Sequence, residues 1–338
     1  MKATINEKKA MKRILITGAC GFIGAHTVEH LLLNTDWEIV GLDRLSYAAN
    51  GFDRLRDAIG YPHPRVTLFS TDFTQPLSCG LIKEMGAVDY ILHMGAETHV
   101  DNSIKNPEPF VMANVVGTMR LLDYARQVKD LKKFIYFSTD EVFGPAPQGV
   151  SYREWDRYNS TNPYSASKAG GEELCLAYSN TYKIPMAITH TMNAFGERQH
   201  PEKFIPMIIN KIRRGETVTI HSDPTKTKAG SRFYIHCRNI ASAVLFILEN
   251  SDIRDKYNIV GEKEVDNLEM AKFIAKILGK PLKYEMVDFH SSRPGHDLRY
   301  ALDGTKLHDM GWAVPKAFED SLTKTILWYV DNPKWLEW

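Results

Sequence analysis

Residues 13–33 hold the pattern that most narrows what this chain can fold into. Arg13–Thr17 (RILIT) is a β-branched apolar run typical of a buried strand, and Gly24–Leu33 has the apolar spacing of a helix. The turn between them, GACGFIG, places glycines at Gly18, Gly21 and Gly24. Glycines let the backbone turn sharply and approach a pyrophosphate, which then lies at the positive end of the helix. The spacing GxxGxxG is one residue wider than the dinucleotide fingerprint GxGxxG, so its position between strand and helix is what indicates a cofactor site.

The alternation of strand and helix continues along the chain. Further apolar runs predict strands at Glu38–Asp43, Arg65–Ser70, Ala87–Met94, Lys132–Ser138 and Pro185–Thr191. Long helical patterns lie among them at Glu108–Val128 and Pro163–Tyr182. Buried strands that alternate with helices are typical of βαβ units, so the sequence predicts an α/β fold with a Rossmann-type, doubly wound parallel sheet.

The regular alternation breaks after about Met192. Asn193–Pro206 and His221–Ser231 are rich in Pro, Gly, Lys and His and are typical of ligand-facing loops. The polar, basic start of the chain lacks the apolar stretch of a signal peptide. We therefore expect a disordered extension at 1–12, a dinucleotide-binding Rossmann domain at 13–192, and a smaller C-terminal α/β substrate lobe at 193–338. The chain is expected to cross back to the sheet near 231–250.

Composition limits the classes of partner. The 338 residues can bury a large core in two lobes, and 42 basic against 41 acidic residues leave a net charge of +1. That balance argues against nucleic acid or an anionic membrane surface as the main partner. The cysteines at 20, 79, 175 and 237 have no CxxC or metal-ligand spacing, so we predict no metal and a reducing, cytoplasmic compartment. No apolar run approaches the ~20 residues of a membrane span.

The end of the second predicted strand bears on the choice of cofactor. Asp43 stands where an acidic residue binds the adenosine ribose hydroxyls, and a carboxylate there repels a 2′-phosphate. NAD is therefore predicted over NADP. Arg44 follows directly and could instead receive that phosphate, and a strand-end aspartate can also be a simple turn residue.

Two short segments about two dozen residues apart carry the chemistry. In Tyr164-Ser-Ala-Ser-Lys168 a phenol and an ammonium lie one helical turn apart, and a nearby ammonium lowers the pKa of a tyrosine. That pair suits alcohol oxidation. Thr139, Asp140 and Glu141 end an apolar run and supply a hydroxyl, an acid and a base, which suits the elimination of water. An isolated Asp-Glu pair usually lies in a solvated turn, and an isolated YxxxK motif usually lies on the surface of a helix. Both motifs together, in this order after a glycine loop, predict a catalytic site.

These segments resemble the extended short-chain dehydrogenase/reductase family, and within it the nucleotide-sugar 4,6-dehydratases. The resemblance runs from Arg13 to about Trp335 and rests on TGACGFIG, LDRLSYAAN, HMGAETHVDNSI, STDEVFG, YSASK, HPEKFIP, RPGHDLRYALD and WYVDNPKW. STDEVFG separates dehydratases from relatives, because epimerases and decarboxylases of this fold usually lack the Asp-Glu pair after the threonine.

The resemblance implies a tightly held NAD that is reduced and reoxidised within one cycle. Tyr164 would remove the proton of the sugar C4 hydroxyl while hydride leaves C4, and Lys168 would hold the nicotinamide ribose. The new C4 ketone acidifies the C5 proton, which Glu141 would take while Asp140 protonates the departing C6 hydroxyl. Hydride then returns to C6. Thr139 would bond the C4 oxygen and help to stabilise its developing charge.

The resemblance also implies binding residues. Those for NAD are Gly18, Gly21, Phe22, Ile23, Gly24, Asp43, Arg44, Ser46, Asp72, Phe73, Met94, Gly95, Ala96, Asn114, Tyr164 and Lys168. Those for a nucleotide sugar are Thr98, Thr139, Asn193, Lys203, Phe204, Thr219, Ile220, His221, Arg232, Asn267, Arg293 and His296. Lys203, Arg232 and Arg293 are predicted to neutralise the two phosphates. A packed helix asparagine is an equal alternative for Asn114.

Three departures from the family pattern leave the nucleotide base open. The chain has NAFGE where the family has NNYGP, AGSRFYIHCRN where it has an IRDW-like segment, and a more basic loop, HSDPTKTKAG. A dTDP-hexose, best dTDP-glucose, is the expected substrate, with UDP-, CDP- and GDP-sugars as alternatives. A 4-epimerase, a UDP-glucuronate decarboxylase and a non-catalytic NAD(H)-sensing protein are the alternative functions. By analogy, helices Glu108–Val128 and Pro163–Tyr182 would form a homodimer interface.

Overall fold

The computed structural model describes residues 11–252, 254–289 and 298–337. Its main sheet has seven parallel strands in the spatial order β3-β2-β1-β4-β5-β6-β10. With strands numbered along the chain, these are β1 (Arg13–Thr17), β2 (Glu38–Asp43), β3 (Val66–Ser70), β4 (Tyr90–His93), β5 (Lys133–Thr139), β6 (Met186–Thr191) and β10 (Asp255–Ile259). The predicted Rossmann-type, doubly wound fold is confirmed.

Helices cover both faces of the sheet. In chain order they are α1 (Phe22–Asn34), α2 (Asp53–Ile59), α3 (Cys79–Met85), α4 (Val100–Lys105), α5 (Glu108–Val111), α6 (Thr118–Ala125), α7 (Pro163–Tyr182), α8 (Phe204–Arg214), α9 (Cys237–Asn250), α10 (Asn267–Leu278), α11 (Thr305–Asp309) and α12 (Phe318–Asp331). A π-helical turn (Met112–Gly117) joins α5 to α6, and 3₁₀ turns span Asp140–Phe143 and Pro333–Leu336. None of the described helices combines the length and the apolar character that crossing a membrane requires.

Strand β5 shows how the sheet builds two cores at once. Successive side chains of a strand point to opposite faces. Ile135 and Phe137 therefore join the core formed with α1 and α9, whereas Phe134 and Tyr136 join the core formed with α6 and α7. Because both faces are covered, the whole strand is buried, and its last residues are held rigidly at the edge of the cavity described below.

The small lobe has its own core and two small sheets. One sheet orders β11 (Glu264–Asp266), β9 (Ser231–His236) and β7 (Asn193–Phe195), and the other pairs β12 (Tyr284–Asp288) with β8 (Val218–Ser222). Helices α8, α10 and α12 bury Ile208, Ile274 and Ile326 in this core. Between the two visits to the lobe the chain returns to the main sheet, where α9 packs on α1 and β10 joins β6.

Several local predictions differ from the structure. The helix predicted at Glu108–Val128 is interrupted by the π turn and ends at Ala125. The loop predicted at Asn193–Pro206 contains β7 and the start of α8, and the loop predicted at His221–Ser231 begins inside β8. Short polar strands such as β7 are set by pairing with β9, which no local pattern reveals. The expected extension at 1–12 falls almost wholly outside the described residues.

Candidate active site

One cavity of about 360 Å³ lies at the carboxyl ends of β1, β2, β4, β5 and β6. In a doubly wound sheet this edge binds ligands at the switch point, which here lies between β1 and β4. Most predicted site residues line it: Gly18, Gly21, Phe22, Ile23, Gly24, Asp43, Arg44, Ser46, Asp72, Phe73, Met94, Gly95, Ala96, Thr98, Thr139, Asp140, Glu141, Tyr164, Lys168, Asn193 and Lys203. The fold thus brings together residues that are up to about 185 positions apart in sequence.

The glycine turn has the shape that a dinucleotide needs. Gly18 has φ +72°, in the left-handed region, and a Cβ placed on it would lie 2.9 Å from the Gly95 backbone. A Cβ on Gly24 would lie 2.0 Å from the carbonyl oxygen of Gly18. The first turn of α1 therefore packs directly on the loop and leaves bare backbone at its N-terminus. This cradle fits a pyrophosphate.

Asp43 and Arg44 follow β2 into the cavity wall. Both carboxylate oxygens of Asp43 accept backbone N–H groups, from Cys20 at 2.9 Å and Leu45 at 2.8 Å, although burial raises the pKa of this residue. Arg44 pairs with the carboxylate of Glu97 and lies 4.0 Å from that of Asp72. Because these acids already neutralise Arg44, the arginine is a poor receptor for a 2′-phosphate, and the arrangement favours NAD.

Helix α7 presents Tyr164 and Lys168 from one buried face. Asn162 accepts the N–H of Ser165 at 2.9 Å in a capping box, and Pro163 occupies the first turn, which fixes where the helix begins. The ammonium of Lys168 donates to the carbonyl of Phe137 at 2.7 Å. Lys168 is thereby held against β5, on the same side of the cavity as Tyr164.

The pKa of Tyr164 differs from the expectation. Burial raises it above the ordinary value, Glu141 and Asp140 raise it further, and the nearby Thr139 hydroxyl opposes them. Burial also lowers the pKa of Lys168 to about 8. The predicted lowering of the tyrosine pKa is therefore wrong for the chain alone: Lys168 is not among the groups that act on the Tyr164 pKa, which burial raises.

The two acids of the 3₁₀ turn after β5 have different surroundings. Thr139 donates to Oδ1 of Asp140 at 3.0 Å and accepts the N–H of Glu141 at 3.3 Å. Burial, together with the charge of Glu141, raises the pKa of Asp140 to about 7 against the lowering effect of Arg232. Glu141 accepts a hydrogen bond from Asn162 at 3.2 Å. An acid whose pKa is raised to about 7 and a hydrogen-bonded second carboxyl group thus lie side by side, an arrangement that suits elimination of water.

The remaining described substrate residues lie in the small lobe. Phe204 stacks on Tyr234, whose hydroxyl donates to Asn267 at 2.7 Å, so these three form one cluster. Thr219, Ile220 and His221 lie on β8, and Arg232 on β9 lies 4.7 Å from the ring centroid of Tyr300. Arg293 and His296 lie outside the described residues. The binding roles of all these residues stay predictions.

Asn114 has a structural role in the π turn. Its Oδ1 accepts the N–H of Glu97 at 2.9 Å, and its Nδ2 donates to the carbonyl of Glu97 and to Ser167. The asparagine therefore ties the cavity wall to α7. Its cofactor role remains a prediction.

Sequence reasoning missed several lining residues, among them Ser138, Arg54, His200 and Glu202. Buried Arg54 donates to the carbonyls of Cys20, Ala48 and Arg198. Hydrogen bonds to backbone carbonyls leave no pattern in the sequence around Arg54 from which its position could be predicted. Glu202 accepts from Tyr47 at 3.3 Å and lies 3.7 Å from His99. The sequence signal that could have identified Glu202 is its position within the HPEKFIP segment.

A second cluster lies between α1 and the turn after β7. Nitrogen, oxygen and sulfur atoms of His26, Glu197 and Cys237 lie within 4.8 Å of one another, close enough to suggest a metal. Arg238, however, donates to Glu197 at 2.7 Å, and Arg198 reaches His26 at 3.4 Å. Two guanidinium groups at this distance favour a buried ion-pair network over a cation site.

A parallel sheet whose switch point holds a glycine cradle beside a tyrosine–lysine pair defines a class of protein, the dinucleotide-binding enzymes that oxidise alcohols. The chain belongs to the NAD dependent epimerase/dehydratase family, whose model matches residues 14–260. The resemblance noted in the sequence is thereby confirmed, as is NAD as the cofactor.

Similar proteins include dehydratases of two nucleotide sugars. An Arabidopsis thaliana trifunctional UDP-glucose 4,6-dehydratase/3,5-epimerase/reductase is 36% identical over 96% of this chain, which spans only 48% of that protein. The Escherichia coli dTDP-glucose 4,6-dehydratase is 34% identical over 96% of this chain and 95% of its own length. A Streptomyces venezuelae dTDP-glucose 4,6-dehydratase, solved with NAD bound, has a TM-score of 0.87 at 33% identity and covers 96% of this chain and 99% of its own.

Proposed function

We propose that this chain is an NAD-dependent nucleotide-sugar 4,6-dehydratase, a hydro-lyase that converts an NDP-hexose to the NDP-4-keto-6-deoxyhexose. The observation that carries the proposal is the Asp140–Glu141 pair, which lies in the same cavity as Tyr164 and Lys168. A 4-epimerase needs the tyrosine and lysine for alcohol oxidation but has no use for a second, protonated carboxyl group. The similarity to proteins named as 4,6-dehydratases supports the same reading.

Oxidation at C4 uses the buried face of α7. The Tyr164 oxygen takes the proton of the C4 hydroxyl, and Thr139, which lies close enough to lower the pKa of Tyr164, stabilises the charge that develops on the sugar oxygen. When bound, NAD supplies the acceptor for the C4 hydride, the later donor to C6, and a positive charge that favours the phenolate. Lys168 would hold the cofactor's ribose from the next turn of the same helix face.

Elimination then uses the 3₁₀ turn. The C4 ketone acidifies the C5 proton, and the Glu141 carboxylate takes it. Asp140, which keeps its proton up to about pH 7, gives that proton to the C6 hydroxyl, so water leaves. Its Oδ2 atom is buried with no hydrogen-bond partner among the described residues, which leaves it available to the leaving group.

Thr139 connects the proton transfers at Tyr164 and Asp140. Its hydroxyl donates to Asp140 at 3.0 Å and is close enough to Tyr164 to lower the pKa of that phenol. The proton that Tyr164 takes from C4 can therefore pass through the Thr139 hydroxyl to the Asp140 carboxylate after that acid has discharged. The C4 hydroxyl proton thus recharges Asp140 for the next turnover, and Glu141 returns a proton to C5 when C6 is reduced.

Recognition of the substrate falls to the small lobe. Lys203 and Arg232 would neutralise the two phosphates, and the Phe204, Thr219–His221 and Asn267 positions would face the nucleoside. Arg232 is close enough to Asp140 to lower its pKa, which supports a diphosphate that leads from the lobe to the catalytic turn. We take dTDP-glucose as the best substrate, with UDP-glucose next.

A homodimer is part of the proposal. Val111 and Met112, on the helical segment expected at the interface, are exposed large apolar side chains, as is Tyr182 at the end of α7. Exposed apolar side chains along one helical pair favour burial against a second copy of this chain. Light scattering of the wild type against Val111→Glu tests this, since the variant should be monomeric.

Mass spectrometry after incubation with dTDP-, UDP-, CDP- and GDP-hexoses in deuterated water tests the function. We expect loss of one water and one solvent deuterium in the product, with one preferred base. Glu141→Gln is the matched control, in which the bound sugar should lose no water. An unchanged mass with an inverted C4 would indicate the epimerase, loss of carbon dioxide the decarboxylase, and bound NAD without turnover the sensor.

A further inference from the structure

A fully buried carboxylate lies on the catalytic helix and takes no part in the proposed chemistry. Tyr164, Lys168 and Glu172 follow one another at four-residue intervals on α7, so they share a face. Glu172 is 0% exposed. An ionised side chain in such a place is costly unless its surroundings compensate for the lost water, so its partners indicate why it is there.

Four side chains from four different segments bond this carboxylate. Ser138 on β5 donates to Oε1, and Tyr158 donates to Oε2. His190 on β6 places Nε2 at 3.1 Å from Oε2, and the Lys256 ammonium on β10 lies at 3.5 Å. Burial alone would raise the pKa of Glu172, but His190, Lys256 and Ser138 together lower it to about 2, so the residue is a fixed negative charge.

Ser138 links this charge to the elimination turn, because it directly precedes Thr139 at the end of β5. The charge of Glu172 also acts on Lys168, one helical turn away. Burial lowers the pKa of the Lys168 ammonium, and Glu172 raises it. The thiol of Cys175 could also raise the pKa of Lys168 if it were ionised, but burial raises the thiol pKa well above the ordinary value. Cys175 is therefore neutral, and Glu172 is the charged neighbour that acts.

We propose that Glu172 is a positioning residue for the reaction: it keeps Lys168 in its charged form and anchors the end of β5 through Ser138, without touching cofactor or substrate. This rests on the proposed role of Lys168 in C4 oxidation. Titratable groups from each element packed around the Lys168–Glu172 pair also face it. They are His93 on β4, Tyr136 on β5, His190 on β6, Lys256 on β10, Tyr158 in the loop before α7, and Cys175 on α7 itself.

The direct test follows the Lys168 ammonium in protein labelled with ¹³C at the lysine ε carbon, its signal identified by its loss in Lys168→Arg. We expect a titration midpoint near pH 8 in the wild type and a downward shift of about one pH unit in Glu172→Gln. Glu172→Asp keeps the charge and should restore the midpoint to within a few tenths of a unit. Glu173→Gln, the same change at the exposed next residue, is the matched control and should leave it unmoved.

The double variant Glu172→Gln/Lys256→Met also removes the Lys256 charge, so that Lys256 is not left unpaired should Glu172→Gln alone fail to fold. It should show the same downward shift, whereas Lys256→Met alone should not lower the midpoint. An unmoved midpoint in both Glu172→Gln and the double variant would overturn the proposal.

Turnover supplies the second readout. The alkaline limb of the rate of bound NADH formation should move with the Lys168 midpoint in each variant. This limb belongs to C4 oxidation, which a dehydratase and an epimerase share, so absence of water loss would refute the proposed function and leave the Lys168 titration to decide the role of Glu172.

Discussion

Replacing Asp140 with asparagine should stabilise the fold while it destroys activity, and the gain should grow with pH. Burial and the charge of Glu141 raise the pKa of Asp140 from 3.8 to about 7. A carboxyl group whose pKa is raised on folding stabilises the protein fully below the unfolded pKa, and that contribution is lost as the pH rises through the folded pKa. Asparagine cannot ionise, so the variant avoids this loss.

The size of the effect follows from the shift. Each pKa unit corresponds to about 1.4 kcal/mol, so the full cost of ionising Asp140 in the folded protein is about 4 kcal/mol above pH 7. At pH 5 the folded protein keeps the proton while the unfolded chain has lost it, and the cost is about 1.6 kcal/mol. The difference in unfolding free energy between variant and wild type should therefore widen by about 2.5 kcal/mol between pH 5 and pH 8.

Urea denaturation of both proteins at pH 5 and pH 8, at one NAD concentration, measures this difference. Asp309→Asn at an exposed site is the matched control and should show no widening. Water loss from the nucleotide sugar should fall by about 10²–10⁴ in Asp140→Asn, the range for a general acid. A variant no more stable than the wild type at pH 8 would refute the argument that Asp140 is held protonated by burial.

Three further outcomes follow from the site. Glu141→Gln should form bound NADH normally but lose solvent exchange at C5 by about 10²–10⁴; exchange at the wild-type rate would contradict the role of Glu141. Tyr164→Phe should bind NAD yet form no NADH, as near-ultraviolet absorbance would reveal, and normal NADH formation would contradict the assignment. Glu97→Gln should release Arg44 from its ion pair and raise affinity for NADP about tenfold by calorimetry, whereas unchanged affinity would mean that Asp43 alone decides the cofactor.

The sequence predicted the elements whose limits are set locally. Strands β1 and β2 have the predicted bounds because each is a buried β-branched run between turn residues. The bounds of α7 also match, since Asn162 and Pro163 begin the helix and Lys183, with φ +61°, ends it in the left-handed conformation. These signals lie within a few residues of the boundary and need no tertiary contact.

Strand β10 escaped prediction because its side chains are polar. Lys256 and Asn258 look like loop residues, yet both are buried in the seventh strand of the main sheet. Lys256 is compensated by Tyr158 and Glu172, and the Asn258 amide donates to the carbonyls of Tyr152 and Asp303. Such compensation depends on residues 45 to 106 positions away in the sequence, so no periodicity along the chain predicts it.

The same distinction applies to the site. Motif spacing predicted which residues meet at the cavity, because the carboxyl ends of parallel strands share one edge. It did not predict their charges: Arg44 is neutralised by Glu97, which follows a different strand, and the pKa of Tyr164 is raised by burial. Positions follow from topology, whereas protonation follows from desolvation and from neighbours that only the folded chain supplies.

The two halves of the proposed chemistry are carried by separate elements, and this bears on how the family divides. The oxidation pair lies on α7, and the elimination pair lies on the 3₁₀ turn Asp140–Phe143, which Thr139 precedes and bonds through Asp140. A change confined to that turn can remove water loss and leave C4 oxidation in place, because Tyr164 and Lys168 are fixed by a helix cap and by Phe137, not by the acids. The same sheet can therefore serve an epimerase or a dehydratase according to one turn of chain, and the Asp140–Glu141 pair is the feature that assigns this protein to the second.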